Sequence, residues 1–266
     1  MKVAILGSTG MLGKGVSEVL KGNYEVYHSY RKEEFKNLNK NSFYFEAGKS
    51  TFDQIPKVDY IINCIGVIKP YMGDLEQAIN INSLFPRKLS LYCLENDIKL
   101  LHITTDCVYS GKKGEYVESD LHDCLDSYGK TKSLGEASDC MVLRTSIIGE
   151  ELHSNVSLVS WFLSSKGKKI QGYENHLWNG LTTKEYGRVC KQIIDNNLYE
   201  KGLYHVFSKE DVTKYQLLTM FKEKYKLNIE VEPSNGLTSC NRTLRTEKDL
   251  ANKLQIKPIF QQILEM

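Results

Sequence analysis

The chain has 266 residues, 41% of them hydrophobic and 26% charged, an ordinary globular balance with enough apolar material for a sizeable core. A net charge of +2 gives no electrostatic case for a nucleic-acid or membrane partner. No stretch is long and apolar enough to span a bilayer, and the N-terminus does not read as a secretory signal. Seven scattered cysteines, without a Cys-x-x-Cys pair, fit a reducing cytoplasm rather than a disulfide framework or a zinc site.

The apolar run from Lys2 to Leu6 predicts a strand buried on both faces. Gly7-Ser8-Thr9-Gly10-Met11-Leu12-Gly13 follows it, and Val16, Val19 and Leu20 then recur at helical spacing. Strand, glycine turn and helix in that order are the context of a dinucleotide site. Gly7 permits the tight turn, Gly10 lets a pyrophosphate approach, and Gly13 lets the helix pack on the strand. The unpaired N–H groups of the helix start face the phosphates, placing Thr9, Met11 and Leu12 with the cofactor. The spacing is G-x-x-G-x-x-G, not the commoner G-x-G-x-x-G.

The next strand, Tyr24 to Tyr30, ends on Arg31 and Lys32. An NAD binder usually carries an acid there for the ribose 2′-hydroxyl. Arg31, with Ser29 or Lys32, suits a 2′-phosphate instead, so NADP(H) is expected over NAD(H). Val58 to Ile65 reads as a strand running into Cys64-Ile65-Gly66, further backbone for the cofactor. Leu75 to Asp97 reads as helix and carries Asn80 and Asn82. Leu100 to Thr104 is a strand leading to Thr105-Asp106-Cys107-Val108-Tyr109, and Met141 to Thr145 is another.

Repeated βα units imply an α/β fold, a Rossmann-type doubly wound parallel sheet with ligands at the carboxyl ends of its strands. Gly7, Cys64 to Gly66, Thr105 and Thr145 all fall at such ends. Beyond about residue 150 the rhythm loosens. Helices are expected over 156–165, 183–196 and 213–225, a short strand over 202–206, and mixed loop over 170–178. The expected division is 1–150 for the dinucleotide domain and 151–266 for a smaller substrate lobe, with some interleaving.

Between these elements stands Ser127-Tyr128-Gly129-Lys130-Thr131-Lys132. Tyr128 and Lys132 lie four apart, on one helix face. A free phenol, with a pKa of about 10, is a poor acid–base group at neutral pH, and a nearby cation is expected to lower it. Such a tyrosine exchanges a proton with a carbonyl or alcohol oxygen, which is redox chemistry once a hydride carrier binds nearby. A Tyr-x-x-x-Lys pair by itself is common on helix surfaces; its weight comes from the glycine turn and the strand ends around it.

Together, the glycine turn, Thr104-Thr105-Asp106-Cys107-Val108-Tyr109 and Tyr128 to Lys132 resemble the extended short-chain dehydrogenase/reductase family. With Gly114-Glu115-Tyr116, Gly135-Glu136 and Leu143-Arg144-Thr145-Ser146, the chain is most similar to the dTDP-4-dehydrorhamnose reductase branch. That resemblance implies an NADPH-dependent reductase of a nucleotide-linked 4-keto-6-deoxy sugar, a homodimer by family habit. It implies that Tyr128 is the acid for the keto oxygen, that Thr105 binds the same oxygen, and that Lys132 holds the nicotinamide ribose. Asn82 corresponds to a helix asparagine that supports the site. Val67, Asp106, Cys107, Arg144, Ile147 and Trp178 are the expected substrate-side residues. Arg144, like Lys169, is a candidate for the diphosphate, and Trp178 lines the pocket or packs in the core.

Two departures bear on the substrate. Cys107 and Ile147 stand where those reductases typically carry tyrosine and tryptophan, so the sugar is dTDP- or UDP-linked, with or without an N-acetyl group. A cysteine at this spacing serves epimerisation in some relatives, which leaves a 3-epimerase/4-reductase open, with His153 or His176 as a second proton carrier. A third reading is a regulatory subunit that binds NADP(H) without turnover. No metal site is expected.

Overall fold

In the computed structural model, which describes residues 1–37, 39–151 and 156–266, the chain opens with β1 (Lys2–Leu6). Val3, Ala4, Ile5 and Leu6 are wholly buried, because helices cover both faces of the sheet. Gly7 then turns the chain at φ +80°, a left-handed conformation natural to glycine. Helix α1 (Met11–Leu20) runs back so close to the turn that a Cβ on Gly13 would sit 2.1 Å from the Gly7 carbonyl oxygen. That contact fixes the helix start directly above the end of the strand.

The alternation continues with β2 (Glu25–Tyr30), β3 (Ser42–Tyr44) and β4 (Tyr60–Asn63). Helix α2 (Leu75–Ile79) passes through a π-helical segment, Asn80–Leu84, into α3 (Phe85–Glu95). Then come β5 (Lys99–Thr105), α4 (Ser127–Leu134), β6 (Met141–Thr145) and the short β7 (Ile147–Ile148). The later half contributes α5 (Leu158–Leu163), β8 (Lys169–Tyr173), β9 (His176–Trp178), β10 (Leu181–Thr182), α6 (Thr183–Asp195) and β11 (Gly202–His205). It ends with β12 (Val212–Thr213), α7 (Lys214–Tyr225), β13 (Glu230–Ser234), β14 (Cys240–Asn241), α8 (Leu250–Lys253) and α9 (Ile259–Leu264).

Seven strands form one parallel sheet in the order β11-β6-β5-β4-β1-β2-β3. The order reverses beside β1, the position where doubly wound sheets open a ligand crevice. One face is covered by α1 and α6 through Val16, Leu20, Tyr186, Val189 and Ile193. The other is covered by α3 through Phe85, Leu89 and Cys93. The sheet therefore draws its last strand and one covering helix from beyond residue 150. A separate core of Val159, Phe162, Leu217, Leu218, Phe221 and Ile259 holds the smaller lobe together.

The stretch 170–178, expected as mixed loop, falls mostly in two strands, Lys169–Tyr173 and His176–Trp178. Only Ile170 and Gly172 of β8 are buried, and its partner β13 lies far along the chain, Lys169 opposite Glu230. With so few apolar residues, the period-two signal is lost. Among the described residues, no helix is long and apolar enough to cross a membrane.

Candidate active site

All seven strands of the sheet are parallel, so Gly7, Arg31, Cys64 and Thr105 emerge on one edge. A cavity of about 590 Å³ opens there, lined among others by Gly7, Thr9, Gly10, Arg31, Ile65 and Gly66. Cys64 and Val67 border the same space. The Gly7 N–H donates to the Ser29 hydroxyl at 2.8 Å, and the Ser8 hydroxyl donates to the Ser29 carbonyl at 2.8 Å. Ser29 thereby holds the turn, and it lines the cavity beside Arg31 with its own hydroxyl proton still to donate. On the opposite wall, the Ile65 N–H donates to Asn63 Oδ1 at 3.1 Å, which fixes the strand-end backbone.

Helix α1 starts without a side-chain cap or an acid in its first turn. Its first N–H groups and its positive dipole end thus face the cavity uncompensated among the described residues, as a pyrophosphate requires. Met11 and Leu12 open that helix behind the glycine turn. Lys32 lies outside the cavity lining and pairs with Glu34 at 3.6 Å on the surface. The cavity instead acquires Lys49, which sequence reasoning missed and which pairs with Glu46 at 3.0 Å. These residues fit a dinucleotide, with Arg31 at the end that would meet a 2′-phosphate.

Next to this cavity lies a corner built by β5 and α4. Asp126 caps α4 by accepting the Gly129 N–H at 2.8 Å. A Cβ on Gly129 would stand 2.3 Å from the Cys107 carbonyl oxygen, so glycine lets the helix press onto the turn after Thr105. This approach brings the half-buried Tyr128 phenol beside Thr105. The Thr105 hydroxyl donates to Asp106 Oδ1 at 3.2 Å and accepts the Cys107 N–H at 3.2 Å. Lys69 closes the outer side, 5.9 Å from the Tyr128 ring centre and 2.9 Å from Asp126.

The titration of the pair differs from expectation. Burial pushes the Tyr128 phenol upward, the neighbouring Cys107 adds to it, and the nearby Thr105 hydroxyl only partly opposes. Lys132 does not reverse this, because its ammonium turns beneath the helix and donates to the Ile103 carbonyl at 3.1 Å. Burial lowers Lys132 itself to about 8. A Cβ on Gly66 would lie 3.7 Å from Lys132 Nζ, so the lysine borders the cofactor cavity. The result is a phenol held protonated, which is the state of a proton donor.

Asn82 ties this corner together. Its Oδ1 accepts the Val67 N–H at 2.8 Å, and its Nδ2 donates to the Val67 carbonyl at 2.9 Å and to Thr131 Oγ1 at 3.2 Å. It reaches all three from the π-helical segment, a local widening frequent at functional sites. Ser83 adds a bond to the Thr131 carbonyl at 2.7 Å.

The expected substrate-side residues divide. Asp106 is buried in the corner, and Cys107 is half-buried there, its thiol pushed up to about 12 chiefly by burial. Ile147 pairs with Leu181 at the start of the smaller lobe. Trp178 is only 4% exposed and packs in that lobe's core. Lys169 is exposed and pairs with Glu232 at 2.6 Å, and His176 Nε2 bonds the Thr238 carbonyl at 2.9 Å. His153 lies outside the described residues.

Arg144 is fully buried and offers nothing to a diphosphate. Its guanidinium donates to both Glu136 oxygens at 3.0 and 2.6 Å, to His205 Nε2 at 2.8 Å, to His122 Nε2 at 2.6 Å and to the Tyr109 hydroxyl. Both imidazoles must accept from it and are therefore neutral, with His205 Nδ1–H donating to the Arg245 carbonyl at 2.7 Å. Two cations that sequence reasoning missed stand by the corner instead. Lys214 Nζ lies 5.7 Å from the Trp178 ring centre, and Arg242 donates to the Tyr109 and Ser110 carbonyls. Both act electrostatically on Asp106 and Cys107. Neither carries a local motif; only the fold of the later half brings them there. Among the described residues, no group of three or more His, Cys, Asp or Glu side chains could hold a metal ion.

Known proteins place this geometry in a family. The sequence model of the RmlD substrate binding domain matches residues 1–254. The dTDP-4-dehydrorhamnose reductase of Aggregatibacter actinomycetemcomitans is 26% identical over 280 residues, covering 98% of this chain and 92% of that protein. The methionine adenosyltransferase 2 subunit beta of Xenopus laevis is 24% identical over 245 residues, covering 85% of this chain and 72% of that protein. Among solved structures, a Bacillus anthracis dTDP-4-dehydrorhamnose reductase in complex with NADP shares the fold with a TM-score of 0.77 at 19% identity, over 99% of this chain and 97% of that one. A UDP-N-acetylglucosamine 4-epimerase from Methanobrevibacter ruminantium, in complex with UDP-N-acetylmuramic acid, reaches 0.80 at 16% identity, over 99% and 96%. Since that family model matches residues 1–254 of 266, the chain belongs to the RmlD substrate binding domain family.

Proposed function

We propose that the protein is an NADPH-dependent reductase of a nucleotide-linked 4-keto-6-deoxy sugar, on dTDP or UDP and with or without an N-acetyl group. The observation that carries this reading is the placement of the Tyr128 phenol beside Thr105, next to a cavity that fits a dinucleotide. NADPH, when bound, supplies the hydride. Gly7, Thr9, Gly10 and the start of α1 hold its phosphates, and Arg31 its 2′-phosphate. Thr105 and Tyr128 bind the keto oxygen, and Tyr128 gives its proton to that oxygen as negative charge develops there. Lys132 orients the ribose. The substrate lobe, taken from residues 151–266 less α6 and β11, receives the nucleotide. The Aggregatibacter and Bacillus reductases support this reading by name.

Epimerisation by Cys107 has less support, since a thiol pushed up to about 12 has almost no thiolate at neutral pH. The regulatory reading has one specific observation in its favour, the likeness to the Xenopus subunit. NADPH oxidation with 4-keto-6-deoxy sugars on dTDP, UDP and UDP-N-acetyl carriers decides among them. Turnover in the wild type that falls about 10²-fold or more in Tyr128→Phe is the expected result. Cys107→Ser that reduces only pre-epimerised sugar would restore the epimerase reading. Tight NADPH binding without turnover on any carrier would favour a regulatory subunit.

A further inference from the structure

The strand order β5-β4-β1-β2-β3 orients a dinucleotide along the cavity. Its pyrophosphate belongs at the glycine turn after β1, and its nicotinamide must face Thr105 and Tyr128 at the end of β5. The adenosine half is left to the ends of β2 and β3. These two strands pair in register, Tyr30 opposite Tyr44, and the Phe45 N–H donates to the Tyr30 carbonyl at 2.9 Å. Arg31 therefore emerges beside the segment that follows β3. That segment is a tight turn. The Lys49 and Ser50 N–H groups both donate to the Glu46 carbonyl, at 3.1 and 2.8 Å, and the Ser50 hydroxyl accepts the Glu46 N–H at 2.9 Å. Gly48, at φ +83°, permits it. The turn brings Glu46 and Lys49 to the cavity wall with Arg31.

The charges at this end oppose one another. Glu46 is gripped on both oxygens, Oε1 by the Lys49 ammonium at 3.0 Å and Oε2 by the Tyr44 hydroxyl at 3.0 Å. The Lys49 contact foremost holds its carboxyl below the ordinary carboxylate range. An ionised acid here suits a ribose diol and repels a 2′-phosphate. Asp74 and Glu76, at the start of α2, add two more carboxylates to the lining. Arg31 forms no ion pair among the described residues, but one cation against three acids leaves this end negative. A phosphate dianion needs a second cation. Lys49 has the reach for it: its side chain is 76% exposed, and its surface pair with Glu46 is weak enough to be shared. We propose that Lys49 contacts the 2′-phosphate together with Arg31 and thereby sets the preference for NADP(H) over NAD(H). The proposal rests on the NADPH reading above.

Calorimetric titration with NADP+ and with NAD+, in the absence of any sugar, tests it. Lys49→Met should weaken NADP+ binding about tenfold, the loss of one charge-assisted contact. NAD+ binding should change less than about twofold, since only a surface pair is lost. Lys49→Arg should restore most of the NADP+ affinity. In a Glu46→Gln background the NADP+ loss caused by Lys49→Met should persist, because the lysine meets the phosphate itself. A Lys49→Met protein that keeps the wild-type preference overturns the proposal, as does a wild type that binds the two nucleotides equally. A loss that vanishes in the Glu46→Gln background overturns it too, and would leave Lys49 only masking Glu46. A wild type that binds neither nucleotide overturns the NADPH reading itself, which a failure at Lys49 alone leaves standing, so the two failures are distinguishable.

Discussion

Lys132 illustrates how a residue can serve the site at the expense of the fold. Its folded pKa of about 8 lies below the value of about 10.5 for a free lysine. Between those two values the unfolded chain holds a proton that the native lysine has released, so stability rises with pH through that window. Below it the lysine is charged in both states, and burying the ammonium costs about 3 kcal/mol. Lys132→Met should therefore raise the urea midpoint at neutral pH and remove the rise in stability between about pH 8 and 10, while abolishing turnover. A midpoint that drops would show that the bond to Ile103 outweighs the desolvation. The four-residue spacing of Tyr128 and Lys132 was legible because it is local. The direction of the Tyr128 shift was not, since burial is the sum of many distant neighbours.

At the scale of elements, the helical run from Leu75 to Glu95 was readable from its pattern, but its π-helical widening was not, because no periodicity in the side chains marks it. That widening turns Asn82 inward to join the Val67 backbone to Thr131. Asn82→Ala takes a partner from the half-buried Val67 backbone groups and from the buried Thr131 hydroxyl, and should cost about 1–3 kcal/mol. Urea denaturation measures the loss, and turnover should fall with it because Val67 and α4 lose their common anchor. A variant as stable as the wild type would reduce Asn82 to a bystander. Strands β8 and β9 escaped sequence reading for the converse reason. Each has a few apolar residues and partners far along the chain, so its identity is a property of the tertiary fold.

Across the whole molecule, the Arg144 network joins the sheet edge, the end of α4 and the segment after β14 through Arg144, His205, Glu136 and Arg245. The family resemblance placed Arg144 among the substrate-side residues; nothing local in the sequence shows that Glu136, His122, His205 and Tyr109 converge on it. Burial, followed by the Arg144 charge, lowers His205 to about 4, well under the free value of about 6.5. Between those values the unfolded chain binds the extra proton, so stability is complete above about pH 6.5 and falls as pH drops toward 4, by about 3 kcal/mol in all. His205→Asn should flatten the fall in melting temperature between about pH 7 and 5. An unchanged slope would assign the acid sensitivity elsewhere.

The late arrival of α6 and β11 has a consequence for biosynthesis. Thr105, Tyr128 and Lys132 have all been translated by residue 150, yet at that point β6 still presents a bare strand edge and α1 an uncovered apolar face. A nascent chain halted there carries Thr105, Tyr128 and Lys132 and no finished sheet to set them in, a state prone to edge-to-edge association. A fragment ending at residue 150 should accordingly precipitate when expressed alone. Supplied together with a fragment spanning 151–266, it should recover solubility, and ribosome-bound chains should become protease-resistant only after His205 has emerged from the exit tunnel.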